Sequence, residues 1–187
     1  MTLPDLFRRI SSSLEQSGVP YMLTGSYASS AYGMGRASQD IDLVISAGEN
    51  QVRNLLEVLS QNDFYAESGA AMEACRRKSM FNAIDNVTVI KVDFIFQKNR
   101  SFSQEEFQRR QTAPVQGVEL FVATAEDIVI SKLEWAKIGE SARQIEDVVG
   151  ILKVRGKELD RPYIEKWVTE LGLSSEWSRA RQLAGLE

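Results

Sequence analysis

The spacing of apolar residues changes along the chain from a helical period to short strand-like runs, and then back again. Leu3, Phe7, Ile10 and Leu14 recur at helical spacing and predict an opening amphipathic helix. Apolar runs bounded by turn residues then predict alternating strands and helices. The predicted strands cover 21–24, 41–45, 79–84, 88–97 and a hairpin within 115–122, and the predicted helices lie near 27–32, 52–59, 67–78 and 104–110.

The last third of the chain has the pattern of a helical region. Thr124 with Asp127, and Ser141 with Gln144, fit the start signal in which a hydroxyl residue precedes an acid or amide by three positions. Such pairs satisfy free backbone groups at a helix start, so they predict where two of these helices begin. Four helices are predicted, near 125–138, 142–155 and 162–172 and from 174 onward.

These patterns predict an α+β protein with a mixed sheet flanked by helices. We expect an α/β core over residues 1–123 and a C-terminal helical region over residues 124–187, packed on that core. With 187 residues, of which 43% are hydrophobic, the chain is long enough for a substantial core. Residues 1–5 lack the features of a signal peptide, and no apolar stretch approaches the ~20 residues needed to cross a bilayer. We therefore expect a cytoplasmic protein without a membrane partner.

Charge and composition exclude several kinds of chemistry. The formal net charge is -4, whereas a chain that binds nucleic acid through bulk charge is more basic, and we expect no recognition of DNA sequence. The absence of histidine excludes Ser-His-Asp and Cys-His catalysis as well as histidine-ligated zinc. The single cysteine, Cys75, is expected to be partly buried and excludes an intramolecular disulfide. Catalysis would therefore depend on carboxylates, lysine, tyrosine, hydroxyls or a bound metal.

Three aspartates lie on predicted strands. Asp40 and Asp42 are two residues apart, so their side chains project to the same face, ~6–7 Å from each other. Two such carboxylates repel each other unless a cation, such as Mg²⁺ with its preference for oxygen ligands, neutralises them. Asp93 interrupts a strongly apolar strand, where an unpaired carboxylate would be costly. It is expected to meet a metal or a cation, and an ion pair with Lys91 or an arginine is the alternative.

Gly25 and Ser26 stand where a predicted strand turns into a helix. Glycine allows a ligand to approach the backbone, and Ser26 adds a hydroxyl beside the free amides of the helix start, which favours phosphate binding. Three carboxylates facing such a site can hold two metal ions ~3.5–4 Å apart, and Asp93 can accept a proton from a nucleophile. The pattern thus predicts phosphoryl or nucleotidyl transfer.

As a set, these motifs resemble the DNA polymerase β-like nucleotidyltransferase superfamily. The matching motifs are Gly25-Ser26, a 13-residue spacer, Asp40-Ile41-Asp42-Leu43 and Val92-Asp93-Phe94. Members use divalent metal to move a nucleoside monophosphate from an NTP to an acceptor hydroxyl. The chain is also similar to small bacterial members of the AbiEii toxin type, and this resemblance continues through residues 126–135 and 141–148.

The resemblance implies roles for individual residues. The expected catalytic and metal-binding residues are Asp40, Asp42 and Asp93, and the expected nucleotide-binding residues are Gly25, Ser26, Arg36, Ser38 and Lys132. For Lys132, contact with a β- or γ-phosphate and coverage of apolar surface both remain open. The roles of Arg143, Glu146 and Asp147 also stay open, while Trp135, Trp167 and Trp177 are interpreted as packing anchors.

The resemblance also implies cofactors and partners. These are Mg²⁺ in a two-metal site (or Mn²⁺), an NTP (ATP or CTP), a tRNA or protein acceptor, and a cognate antitoxin. Two alternatives remain open, a non-catalytic nucleotide-binding regulatory module and a small-molecule (antibiotic) nucleotidyltransferase.

Overall fold

The computed structural model describes residues 2–33, 40–139 and 141–186 of the chain. The helices in this part are α1 (Leu3–Gln16), α2 (Gly25–Tyr32), α3 (Glu49–Gln61), α4 (Ser68–Arg77), α5 (Ser101–Arg109), α6 (Ala125–Gly139), α7 (Ala142–Arg155), α8 (Arg161–Glu170) and α9 (Ser174–Ala184). The strands are β1 (Tyr21–Thr24), β2 (Asp40–Ile45), β3 (Phe64–Ala66), β4 (Met80–Asp85), β5 (Lys91–Phe96), β6 (Gln111–Val115) and β7 (Val118–Val122). The protein is α+β, as the sequence predicts.

All seven strands of the described chain form one mixed sheet in the order β3-β4-β5-β2-β1-β7-β6. The central strand pair β2 and β5 is parallel and places Asp42 opposite Asp93, while the antiparallel pair β1 and β2 places Thr24 opposite Asp42. Residues that are paired across a sheet point to the same face. The sheet therefore brings the end of β1 and the aspartates of two other strands to one place.

The opposite face of the sheet is apolar and is covered by helices. Alternation along the strands turns Leu43 and Phe94 away from the aspartates, and both side chains are buried. An ion pair of 2.7 Å between Arg9 on α1 and the fully buried Asp85 of β4 holds the first helix on this face. The apolar core thus lies on one face of the sheet, and the aspartates lie on the other face.

The helical region is joined to the core by a buried polar cluster around Asp127. The Thr124 hydroxyl donates to the Asp127 carboxylate at 2.6 Å, which confirms the start signal predicted for α6. The same carboxylate accepts hydrogen bonds from the Tyr163 hydroxyl at 2.6 Å and from the Arg109 guanidinium at 3.3 Å. One fully buried side chain therefore links α5, α6 and α8.

Several predicted elements need correction. The short edge strand β3 has too few residues for a periodic signal, and β6 begins earlier than the predicted hairpin. Ser141 does stand at the start of α7, but its side chain makes no capping hydrogen bond, and the amide oxygen of Gln144 accepts a hydrogen bond from Lys132. Within the described residues, none of the helices combines the length and the apolar character needed to cross a bilayer.

The sequence predicts the burial of some tryptophans and of the cysteine correctly, but not that of every tryptophan. Trp167 and Trp177 are buried, as expected for packing anchors, and Cys75 is buried as well. Trp135 is 56% exposed, so its interpretation as a packing anchor is wrong. Its position three residues after Lys132 on α6 places it at the edge of the helix face that looks toward the sheet.

Candidate active site

The turn from β1 into α2 depends on a glycine. Gly25 has φ +67, a backbone conformation that side chains disfavour, and a β-carbon here would lie 2.7 Å from Cγ of Asp42. Only a residue without a side chain allows this close contact between the start of α2 and strand β2. The buried Ser26 follows as the second residue of the helix, where backbone amides lack helical partners.

The three aspartates lie together at the ends of two parallel strands. Asp42 pairs in register with Asp93, and Asp40 pairs with Lys91. The Lys91 ammonium lies 2.7 Å from Oδ2 of Asp93 and 3.8 Å from Oδ2 of Asp40. The ion pair between Asp93 and Lys91, which the sequence left as an alternative, is therefore present in the structure.

The electrostatics of this cluster favour a cation. Burial, together with the negative charges of Asp40 and Asp93, raises the pKa of Asp42 to about 6. The hydrogen bond to Asp93 in turn raises the pKa of Lys91 above its usual range. Oδ1 of the buried Asp93 has no hydrogen-bond partner among the described residues. A carboxylate that resists ionisation and an unpartnered carboxylate oxygen are both features that a bound cation would relieve.

The residues fit a divalent metal in chemistry but are not arranged as a finished site. Carboxylate oxygens are the preferred ligands of Mg²⁺ and Mn²⁺. Within residues 2–33, 40–139 and 141–186, however, no group of three or more acidic or cysteine side chains is arranged to hold an ion. The ammonium of Lys91 lies between Asp40 and Asp93, where it already neutralises part of their charge.

Lys132 enters the site from α6 and is held by α7. Its side chain is only 4% exposed, and its ammonium lies 2.7 Å from Oδ2 of Asp147 and 3.1 Å from Oε1 of Gln144. Asp147 and Gln144 belong to the segment whose role the sequence left open. These contacts assign them a structural role, because they supply a counter-charge and a hydrogen-bond acceptor to a buried lysine.

A cavity of about 140 Å³ lies between these groups, and we name it the carboxylate cavity. The residues that give it its polar character are Gly25, Ser26, Asp42, Lys132 and Gln144. A second cavity of about 250 Å³, the apolar cavity, adjoins it. The two cavities share four lining residues, which are Thr24, Ile95, Ser131 and Trp135. The two cavities therefore lie side by side between the aspartate face of the sheet and α6.

The structure thus brings together most of the residues singled out in the sequence. Gly25, Ser26 and Lys132 share one cavity with Asp42, and Asp40 and Asp93 lie beside it on the sheet. Arg36 and Ser38, also predicted to bind nucleotide, lie outside the described residues. Sequence reasoning missed the roles of Gln144 and Trp135 at this site. It also missed the pair formed by Glu106 and Ser131.

The buried Glu106 and the half-buried Ser131 form a polar pair in the wall of the apolar cavity. The Ser131 hydroxyl donates to Oε1 of Glu106 at 2.9 Å. Burial raises the pKa of Glu106 to about 8, so its carboxyl is largely protonated at neutral pH. A single glutamate inside an amphipathic helix gives no sequence signal that distinguishes a buried acid from a solvated one.

The similarity of this protein to known proteins lies in its fold. No family model matches the sequence, and no curated protein is similar enough in sequence to count as a relative. ANT(2'')-Ia, solved in complex with adenylyl-2''-tobramycin, superposes with a TM-score of 0.58 at 13% identity, over 96% of this chain and 99% of that chain. A nucleotidyltransferase-like antigenic protein from Paracoccidioides brasiliensis gives a TM-score of 0.58 at 16% identity, with coverages of 97% and 92%.

A third solved structure, JHP933 from Helicobacter pylori, gives a TM-score of 0.50 at 18% identity and covers 97% of this chain and 80% of its own. At such low identities a structural likeness defines the fold. The chain therefore has a nucleotidyltransferase-like α+β fold with C-terminal helices, and its function has to be argued from its own residues.

Proposed function

We propose that this protein is a metal-dependent nucleotidyltransferase that moves a nucleoside monophosphate from an NTP to an acceptor hydroxyl. The observation that carries the proposal is the contact between Gly25 and Asp42. It sets the start of a helix, where phosphate binds well, directly against a carboxylate cluster. Lys132 faces the same cavity and supplies a positive charge for the triphosphate.

The chain's own residues account for binding and orientation. The amides at the start of α2 and the Ser26 hydroxyl hold phosphate oxygens, and the Lys132 ammonium, fixed by Asp147, neutralises their charge. A divalent cation on Asp40, Asp42 and Asp93 would supply charge neutralisation at the α-phosphate and activate the incoming oxygen.

In this proposal Asp93 also takes part in proton transfer. Lys91 donates to its Oδ2, and Oδ1, which has no hydrogen-bond partner among the described residues, would contact the cation and receive the proton of the acceptor hydroxyl that the cation activates. The acceptor oxygen forms a bond to the α-phosphorus, the bond to the β-phosphate oxygen breaks, pyrophosphate leaves, and Asp93 takes the hydroxyl proton. Positioning and charge neutralisation carry this reaction, with no covalent enzyme intermediate.

The finer assignments are hypotheses drawn from the motif resemblance. They are a toxin of the AbiEii type with a cognate antitoxin, ATP or CTP as the donor, a tRNA end or a protein side chain as the acceptor, and a cytoplasmic location. An antibiotic acceptor is the alternative among small molecules, since ANT(2'')-Ia, which shares the fold, was solved with adenylylated tobramycin.

Lys91 favours a second candidate function. Because its ammonium already lies between Asp40 and Asp93, the second candidate is a regulatory module that binds nucleotide without metal and without turnover. Replacing Lys91 with methionine separates the two functions. A regulatory module would lose nucleotide affinity, whereas an enzyme would keep Mg²⁺-dependent binding.

Label transfer tests the enzymatic proposal. The protein is incubated with each α-labelled NTP, Mg²⁺ and cell extract, and RNA, protein and small-molecule fractions are counted. We expect label in one fraction, and loss of at least about 100-fold of that signal in Asp93→Asn. Glu57→Gln, an exposed acid on α3, is the matched control. Equal transfer by wild type and Asp93→Asn would reject the assigned chemistry.

A further inference from the structure

The apolar cavity beside the carboxylate cavity differs from a polar catalytic cleft in the large number of apolar residues that line it. Its lining includes Val44, Met80, Ile95, Trp135 and Ile138, with the Glu106 carboxyl in its wall. Met80, Trp135 and Ile138 are 47%, 56% and 67% exposed, so three apolar side chains are accessible to solvent at its rim. Apolar side chains that line a cavity are typical of sites that bind the apolar part of a ligand.

This cavity lies next to the proposed reaction centre. Thr24 and Ile95 line both cavities, and each lies on a strand that carries or adjoins an aspartate of the cluster. Ile95 follows Asp93 by two residues, so the two side chains point to the same face. A group seated against Ile95 therefore lies next to the carboxylate that takes the acceptor proton.

The charges around the apolar cavity do not suit a polycation. Lys78 and Lys98 are exposed residues of the lining, and the charge of Arg100 is balanced by its ion pair with Glu134. The remaining acid, Glu106, is largely neutral at pH 7 because burial raises its pKa to about 8. The lining thus has an excess of positive charge, which attracts anions and repels cations.

From this geometry we infer that the apolar cavity is the acceptor site, and that it takes an aromatic hydroxy compound bearing a negative charge and excludes polycationic antibiotics. This inference rests on the proposed function, since it assigns the acceptor of that reaction. A cavity of about 250 Å³ accommodates a compact ring system. The apolar walls contact the rings, and Lys78 and Lys98 attract the acid group.

Fluorescence of 8-anilinonaphthalene-1-sulfonate, an aromatic anion, tests this inference on the full-length protein. We expect saturable binding that Ile138→Glu weakens by at least about tenfold, because the change adds a negative charge to the exposed rim. Met80→Glu, at the other side of the rim, is expected to act in the same way. The matched control is Val154→Glu on α7, which is 56% exposed and does not line the cavity.

Two competition experiments test whether other ligands bind in the apolar cavity. We expect neither tobramycin nor a non-hydrolysable NTP analogue with Mg²⁺ to displace the probe, because the lining repels polycations and the triphosphate of the donor is proposed to bind in the carboxylate cavity. Displacement by tobramycin would overturn the exclusion of polycations, and displacement by the NTP analogue would make the cavity part of the donor site. Absent probe binding, or equal binding by Ile138→Glu and wild type, would also overturn the inference.

The same samples separate this inference from the proposed function. Binding of the NTP analogue is measured by calorimetry in parallel. If the analogue does not bind, the proposed function fails whatever the probe does. If the analogue binds and the probe results are contrary, only the acceptor assignment fails.

Discussion

Gly25 shows how one residue position connects the backbone to the chemistry. Its positive φ and its contact with Asp42 both require the absence of a side chain, and these are separate demands. The sequence predicts a turn at this position, because a Gly-Ser pair between a strand and a helix has a local signal. The contact with Asp42 is between positions 17 residues apart in the sequence, so no local pattern reveals it.

Gly25→Ala should therefore destabilise the protein more than a positive φ alone would. Gly117→Ala is the matched control, since Gly117 has φ +76 and open space around it. We expect the control to lose about 1 kcal/mol in free energy of unfolding and Gly25→Ala at least about 2 kcal/mol more. Urea denaturation measures both, and equal losses would show that the contact with Asp42 is not important.

Glu106 gives a pH prediction at the same scale. Burial raises its pKa to about 8, and it lies among Arg100, Asp127 and Glu134. A raised carboxyl pKa means that the folded state binds the proton more tightly than the unfolded state, so the stability that the proton supports is lost as the pH rises from about 4.5 to about 8.

Glu106→Gln should remove this loss while keeping an acceptor for Ser131. Relative to wild type, the variant should gain roughly 3 to 5 kcal/mol in free energy of unfolding between pH 4.5 and pH 9. Urea denaturation at several pH values measures the difference. A difference that is independent of pH would show that Glu106 is ionised in the folded protein at neutral pH.

Between elements, the pair of Lys132 and Asp147 defines how α6 meets α7. Periodicity predicts both helices and even places Lys132 on the face that carries Ile128. It cannot predict which residue of the next helix meets the lysine, because that depends on the angle at which the helices pack. For the same reason, the sequence predicts Gln144 only as part of a helix start signal and does not predict its contact with Lys132.

Asp147→Asn should cost about 3 kcal/mol in free energy of unfolding, because it leaves the buried Lys132 without its counter-charge. Arg53→Gln is a control, since its pair with Glu49 on α3 is exposed and should contribute less than about 1 kcal/mol. The cycle is completed by Lys132→Met and by the double variant Lys132→Met with Asp147→Asn, in which much of the loss should be recovered. Additive losses in this double-mutant cycle would contradict a direct coupling.

Across the whole molecule, the division into a core of residues 1–123 and a helical region of residues 124–187 stays a prediction. The alternation of strands and helices is enough to predict the α+β class. The order of the strands is not readable from the sequence, because it depends on pairings between distant segments. The parallel contact between β2 and β5 is one of these, and it creates the aspartate cluster.

The buried cluster at Asp127 predicts that core and helical region unfold together. Tyr163→Phe removes one hydrogen bond to Asp127 and should lower the free energy of unfolding by about 1 to 3 kcal/mol within a single transition. Differential scanning calorimetry measures both the loss and the number of transitions. Two separate transitions in wild type would show that the helical region folds independently of the core.

The central claim concerns binding of an NTP and Mg²⁺ by the carboxylates at Asp40, Asp42 and Asp93. Calorimetric titration with a non-hydrolysable NTP analogue, with Mg²⁺ and with EDTA, tests it most directly. We predict binding that requires Mg²⁺, is weakened at least about tenfold in Asp42→Asn and is unchanged in Glu57→Gln. Binding of the same strength in EDTA and in Asp42→Asn would contradict the claim.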